Sequence, residues 1–223
     1  QRLIIMVGGV IVNILLAIVI FIGITWVWGE ENLPVKNLKY GVYADSLAKS
    51  MGIQDGDNIV GIDGRKIENF GTLESEIVLS EAKKLQVMRN GQPVELTIPD
   101  GFSKKIIKNK KLSGLVFPRS PAIVYSVLKT ANFTKGSLQK GDRLMAFNDK
   151  PFEYYHELDK LKKGYNDSIV SIKVLRGLDT VTVRALENSK GSIGFFAVSP
   201  LELFGTEDRT YSFVDSIPIG FNR

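Results

Sequence analysis

The sequence contains no cysteine and a single histidine, His156. Without cysteine there is no disulfide framework and no thiolate metal site, and either redox compartment is open to the chain. Charge is also missing over one long stretch: from Leu3 to Gly29 there is no Asp, Glu, Lys, Arg or His. As a helix those 27 residues would reach roughly 40 Å. A bilayer core is about 30 Å thick, so the run is long enough to cross it with some tilt. A secretory signal needs an apolar core of only about 7–15 residues and a small-residue cleavage site. Here the run closes on Ile24-Thr25-Trp26-Val27-Trp28-Gly29, an aromatic belt suited to a membrane–water boundary. The chain opens on Gln1 rather than methionine, with no leader before the run, so it is expected to be cut from a longer protein.

The flanks set an orientation. Arg2 precedes the run and Glu30-Glu31 follow it, which places the N-terminal end in the cytoplasm and the bulk of the chain outside. Within the run, Gly9 and Asn13 stand four apart, on one helical face. A small face admits a close neighbouring helix, and an amide inside a membrane needs a partner. Plain helix packing accounts for these two residues as well.

The remainder, residues 30–223, carries an internal repeat. Gly52-Ile53-Gln54-Asp55-Gly56-Asp57-Asn58-Ile59-Val60-Gly61-Ile62-Asp63-Gly64 recurs as Gly136-Ser137-Leu138-Gln139-Lys140-Gly141-Asp142-Arg143-Leu144-Met145-Ala146-Phe147-Asn148-Asp149. The Gly-Asp pairs are 85 positions apart, too long for a solenoid repeat and right for a small domain. Each copy predicts a strand (38–43; 122–128), a short helical turn (46–51; 131–135), the Gly-Asp turn, a strand (58–62; 143–147), a tight turn and a helix (72–81; 153–163). A hairpin closes each: 85–89 with 94–98 around Asn90-Gly91, and 168–176 with 180–186 around Gly177. The fold class expected is one N-terminal transmembrane helix followed by two mostly-β modules with two helices each. The expected boundaries are 1–29 for the span, 30–118 and 119–200 for the modules, and 201–223 as a connection toward a following span.

The pattern Gly-x-x-x-Gly-Asp, an apolar strand, an Asn/Asp turn, a helix and a hairpin resembles the bacterial PDZ domain. Both copies match, the first better; in the second, Lys129-Thr130-Ala131-Asn132-Phe133-Thr134 replaces the usual small-residue stretch. Two such copies after a span beginning Gln1-Arg2-Leu3-Ile4-Ile5-Met6-Val7-Gly8-Gly9-Val10, with Asn13 beyond, are similar to the site-2 protease family of intramembrane zinc metalloproteases, in its regulator-of-sigma-E (RseP-like) branch. The resemblance implies a PDZ tandem of circularly permuted bacterial type, placed outside the cytoplasm and inserted between two spans of a multi-pass protein in the bacterial inner membrane. It implies zinc in the full-length enzyme, held by a His-Glu-x-x-His motif and an Asp; with His156 alone, this chain holds no catalytic or metal ligand set. It also implies that Gly9 and Asn13 lie beside the catalytic helix.

PDZ domains dock extended peptides by strand addition and hold a terminal carboxylate on backbone amides of a glycine loop. In the permuted form that loop follows the hairpin. The resemblance thus points to Gly114, Leu115 and Val116 within Ser113–Pro118, and to Gly194, Phe195, Phe196 and Val198 within Ser192–Pro200; inter-domain strands that only pack would look alike. The helices would supply the other groove wall through Leu73, Ile77 and Val78, and Tyr155, Leu158 and Leu161, a spacing that ordinary core packing also produces. His156 is expected on the second helix, as a solvated residue or a ligand-hydroxyl partner. Lys104, Lys105, Lys108, Lys110 and Lys111 have no interleaved aromatics and are expected to form a solvated connection, not a nucleic-acid surface.

The expected function is regulated proteolysis of membrane-spanning substrates, an anti-sigma factor or a remnant signal peptide, with the tandem gating or selecting them. The alternative is a non-catalytic, membrane-anchored PDZ adaptor in envelope quality control or secretion. A PDZ-bearing serine protease is set aside, because the one histidine falls inside a PDZ-like helix. Expected partners are membrane-protein or peptide substrates, the lipid bilayer and other spans of the same protein.

Overall fold

A computed structural model describes residues 2–108, 114–189 and 191–221, with side chains from Gly8 onward. The elements are α1 (Arg2–Trp28), β1 (Glu30–Asn32), β2 (Val42–Ala44), α2 (Ser46–Lys49), β3 (Asn58–Ile62), β4 (Arg65–Lys66), α3 (Leu73–Leu79), β5 (Lys84–Arg89), β6 (Gln92–Thr97), α4 (Phe102–Lys108), β7 (Val116–Pro118), β8 (Val124–Val127), β9 (Asn132–Lys135), β10 (Arg143–Phe147), β11 (Lys150–Pro151), α5 (Tyr155–Leu161), β12 (Ile169–Arg176), β13 (Asp179–Leu186), β14 (Phe195–Ala197), α6 (Pro200–Phe204), β15 (Glu207–Arg209) and α7 (Phe213–Phe221). They form two units, one of residues up to Pro34 together with those from Thr206 onward, the other Val35–Gly205.

In the first unit, Gly8–Trp28 of α1 is long and apolar enough to cross a membrane. Its Val, Ile and Leu side chains are mostly exposed, including Val12, Leu16 and Val19. Lipid, not water, is the solvent that suits such a surface. The helix α7 runs antiparallel along the end of α1: Phe213 meets Trp26 edge-on at 5.4 Å, and Gly220 lies against Ile22. A Cβ on Gly220 would sit 2.6 Å from the Ile22 backbone nitrogen, so only glycine permits this approach. Between the helices, β1 and β15 pair antiparallel, with Glu31 opposite Asp208. Glu30–Asn32, assigned from sequence to the first module, thus pair with Glu207–Arg209.

The second unit holds two sheets of matching order, β4-β3-β5-β6 and β11-β10-β12-β13-β9, each beside a two-stranded sheet, β2-β7 and β8-β14. The matching goes down to the irregularities: β3 shifts register against β5 between Ile59 and Gly61, and β10 against β12 between Leu144 and Ala146. Asn90 and Gly91 take φ of 51° and 78°, the mirror-image turn that a two-residue hairpin requires. Alternation puts Leu85 and Val87 of β5, and Val170, Ile172 and Val174 of β12, fully inside. Phe102, Ile106 and Ile77 complete the first core; Phe147, Leu158 and Ile193 belong to the second.

Three sequence expectations are corrected here. Residues 132–135 form β9, which adds to the edge of β13, and not a helical turn. The eight-residue β13 offers an edge, and Phe133 gains a seat against the core that a solvated turn would deny it. The lysine-rich connection contains α4, whose Phe102 and Ile106 are buried while Lys104, Lys105 and Lys108 face solvent; Lys110 and Lys111 lie outside the described residues. Among the described residues, helices are therefore unevenly shared: α2, α3 and α4 fall in the first module, and α5 alone between β8 and β14 in the second.

Candidate functional site

The Gly-Asp motif that reveals the repeat builds the scaffold. Asp57 is buried and takes both Arg89 Nε and Nη2 at 2.8 Å, one on each carboxylate oxygen. It also accepts Gln54 N–H at 2.9 Å, while Arg89 donates to Gly52 O at 2.7 Å. In the second module Asp142 takes Arg176 Nε and Nη2 at 2.8 and 2.7 Å and Gln139 N–H at 2.8 Å, and Arg176 reaches Ser137 O at 2.8 Å. Each clamp ties the glycine turn to the hairpin end through bidentate, charge-assisted bonds. Burial alone would raise the Asp142 carboxyl; Arg176 and the Gln139 N–H outweigh it and hold the group below its ordinary range.

The candidate grooves lie beside β7 and β14. The strand β7 pairs with β2 through Tyr43↔Phe117 and Ala44↔Val116. Just before it, the chain turns its amides toward α3. Gly114 N–H donates to Glu74 Oε2 at 3.0 Å, and Leu115 and Val116 N–H donate to Glu74 Oε1 at 2.7 and 3.3 Å. Three consecutive backbone donors thus converge on one carboxylate. Leu115 and Val116 side chains are buried in the core, as are Leu73 and Ile77 of α3. The sequence-predicted loop therefore presents its backbone amides, not its side chains, to α3; Ser113 lies outside the described residues.

In the second module, Gly194 has φ +90°, and a Cβ there would come within 2.5 Å of Ala131 Cβ. Gly194 O accepts Leu128 N–H at 2.8 Å, and its own N–H reaches Ser192 Oγ at 3.2 Å. Phe195 meets Tyr155 of α5 edge-on at 6.4 Å, and Phe196 is 57% exposed. Val198 N–H is spent on Ile123 O at 2.9 Å, which extends the β8–β14 pairing. Leu158 belongs to the core, while Tyr155 and Leu161 pack partly buried against it.

His156 is not solvated. It is buried with its ring 4.4 Å from that of Tyr43 and 3° from parallel, and Tyr154 stands 6.2 Å away. Its Nε2 is 3.9 Å from Asp55 Oδ2, and burial pulls the imidazole below its ordinary pKa. Arg119 Cζ lies 3.7 Å from the centre of the Tyr154 ring, a cation–π contact. Tyr40 meets both Tyr154 and Phe204, and Asn37 Nδ2 donates to Phe204 O at 3.2 Å. The histidine thus packs the second module onto the first, which removes it from a ligand-hydroxyl role. Among the described residues no group of three His, Asp or Glu is placed to hold a metal ion, so zinc has no seat in them. Gly9 and Asn13 are exposed, with nothing within 4 Å of a Cβ at Gly9; α7 packs on the opposite end of α1.

Comparison with known proteins joins these observations. The PDZ domain family matches residues 40–98, which run from just before β2 to just past β6. A Neisseria meningitidis protein named "putative zinc metalloprotease" is 29% identical over 170 residues, 73% of this chain and 37% of that protein. Proteins given the same description in Rickettsia conorii and Clostridium perfringens are 27% identical over 125 residues and 33% identical over 101. These two matches cover 52% and 45% of this chain, and 34% and 26% of the relatives. Over part of its length the chain is similar to proteins named as zinc metalloproteases, and it carries a PDZ match. It spans about a third of the length of these metalloproteases. Sequence reasoning missed Glu74, Tyr43, Tyr154 and Arg119, because each meets its partner far along the chain and none lies in a local motif.

Proposed function

We propose that this chain is the extracytoplasmic PDZ pair, with adjoining membrane helix, of an intramembrane zinc metalloprotease. The zinc and its ligands belong to the longer protein, and the pair gates or selects membrane-spanning substrates such as an anti-sigma factor or a remnant signal peptide. The observation that carries this reading is the loop at Gly114–Val116, where three backbone donors meet a carboxylate beside β7. A PDZ groove binds peptide with that arrangement of donor loop and strand edge. The second module, with its equal sheet order and equal Asp–Arg clamp, is read as a second PDZ domain, and both as permuted, since the loop follows the hairpin. Support for a membrane setting comes from α1 and from α7 returning along it. In this reading residues 201–223 lead toward a following span, and Gly9 and Asn13 face other spans of the protein in the inner membrane.

The test is proteolysis by the full-length protein, with a membrane substrate presented either trimmed or carrying a bulky folded domain. Deletion of residues 35–205 should let the bulky substrate be cut. Continued discrimination after deletion would refute gating. A gene with no His-Glu-x-x-His on an apolar helix within roughly 100 residues ahead of Gln1 would refute the enzyme reading and favour a PDZ adaptor.

A further inference from the structure

In the first module, the amides that a PDZ domain offers to an incoming chain end are already engaged. Glu74 projects from the first turn of α3 and places both carboxylate oxygens against Gly114, Leu115 and Val116 N–H at 2.7–3.3 Å. A side-chain carboxylate and a terminal carboxylate present the same two oxygens, the same charge and the same bidentate geometry to backbone donors. They cannot occupy one cradle together. From this we infer that Glu74 is a built-in ligand mimic that closes the first module to free carboxyl termini. The inference rests on the reading of β7 and α3 as the groove walls.

Two further observations bear on it. Glu76, two positions on, has an ordinary local duty: it accepts Thr72 Oγ1 at 2.8 Å at the start of its own helix. Glu157 does the same for α5, accepting Glu153 and Tyr154 N–H at 2.8 and 3.1 Å. Glu74, by contrast, bonds 40–42 residues away, so helix capping does not explain its direction. Counted from Glu157, the position equivalent to Glu74 in the second module is Tyr155, an aromatic set against Phe195. The acid is therefore not a requirement of this architecture, since the second module lacks it. A segment that docks along β7 without presenting a chain end does not compete with Glu74, so the first module is left to internal, extended segments.

The experiment uses the full chain in lipid nanodiscs as wild type, Glu74→Ala and Glu74→Gln. The probes are labelled heptapeptides ending in Ala, Val, Leu or Phe, each made with a free carboxylate and with a terminal amide. Amide exchange at Gly114, Leu115 and Val116 is followed by NMR, with Leu85 and Val87 reporting that the module remains folded. The expected result is faster exchange at the three loop amides in both variants. At least one free-carboxylate peptide should bind the variants about tenfold or more tighter than wild type, shifting Gly114–Val116, while its amide gains nothing. Equal binding of a free carboxylate at Gly114–Val116 in wild type and variants overturns the inference and leaves the groove reading intact. Faster exchange with no peptide gained makes Glu74 a strut, which overturns the inference and the docking role of this groove together.

Discussion

Tyr43 and His156 stack ring on ring, with centroids 4.4 Å apart and planes within 3°. One residue comes from β2 and the other from α5, 113 positions later in the chain. Phe117 of β7 continues the stack, 5.0 Å from Tyr43. The small β2–β7 sheet, which follows directly on the loop facing Glu74, thus touches the second module through His156.

That contact should respond to pH. Burial holds the His156 imidazole below its ordinary pKa, so folding favours its neutral form. The folded state then binds fewer protons than the unfolded chain as pH falls through about 6.5, so stability is present above that value and lost below it. Asp55 and Glu157 oppose the effect, and Lys160 and Arg119 reinforce it. His156→Phe keeps a flat ring and removes the titration. The melting temperature of the variant should fall less than wild type between pH 7 and pH 5, by a few degrees; parallel curves would refute the linkage.

The twin clamps give a second prediction. Arg176→Met leaves the Asp142 carboxylate, 1% exposed, without its cation and should cost about 2–4 kcal/mol. The double variant Asp142→Asn with Arg176→Met should recover part of that loss, because no buried charge remains. Asp142 sits below its ordinary range, so its contribution is held at neutral pH and disappears as pH falls through the lowered value. Urea unfolding of the three proteins at pH 7 and pH 3 measures both effects. Single and double variants of equal stability would contradict the clamp.

Glu187 acts in the opposite sense. Its side chain is fully buried, its two carboxylate oxygens have no hydrogen-bond partner among the described residues, and burial pushes its pKa up, against Lys162. The folded state binds the extra proton, so stability declines as pH rises through the window above the usual carboxylate range. Glu187→Gln should raise the melting temperature at pH 7.5 and change it little at pH 4. A loss at pH 7.5 would mean that the charge is stabilising.

The helix pair makes a fourth case. Gly220→Leu puts a side chain where even a Cβ falls 2.6 Å from Ile22, and neither backbone can give way cheaply. The helix α7 should move off α1, carrying Phe213 from Trp26. Trp fluorescence in nanodiscs, with Trp28→Phe as background, should shift on substitution. An unchanged spectrum would refute the close packing.

Glycine at a turn and Asn-Gly at a hairpin end act through backbone geometry, so they mark the repeat wherever it occurs. The same local logic misjudged residues 132–135, since a strand edge 50 positions away decided their conformation. It misjudged His156, whose surroundings come from the other module. It singled out Gly114–Val116 but not the glutamate their amides meet, because a glutamate on an amphipathic helix looks like any solvated acid until the chain folds.

The sequence by itself determined the membrane-length apolar run, the two-fold repeat and its Gly-Asp turns, since hydrophobic length, turn stereochemistry and spacing are local properties. Only the tertiary structure decided that Glu74 fills the amide cradle at Gly114–Val116 and that His156 seals one module to the other. Both outcomes depend on which distant segments share a small volume, and topology sets that.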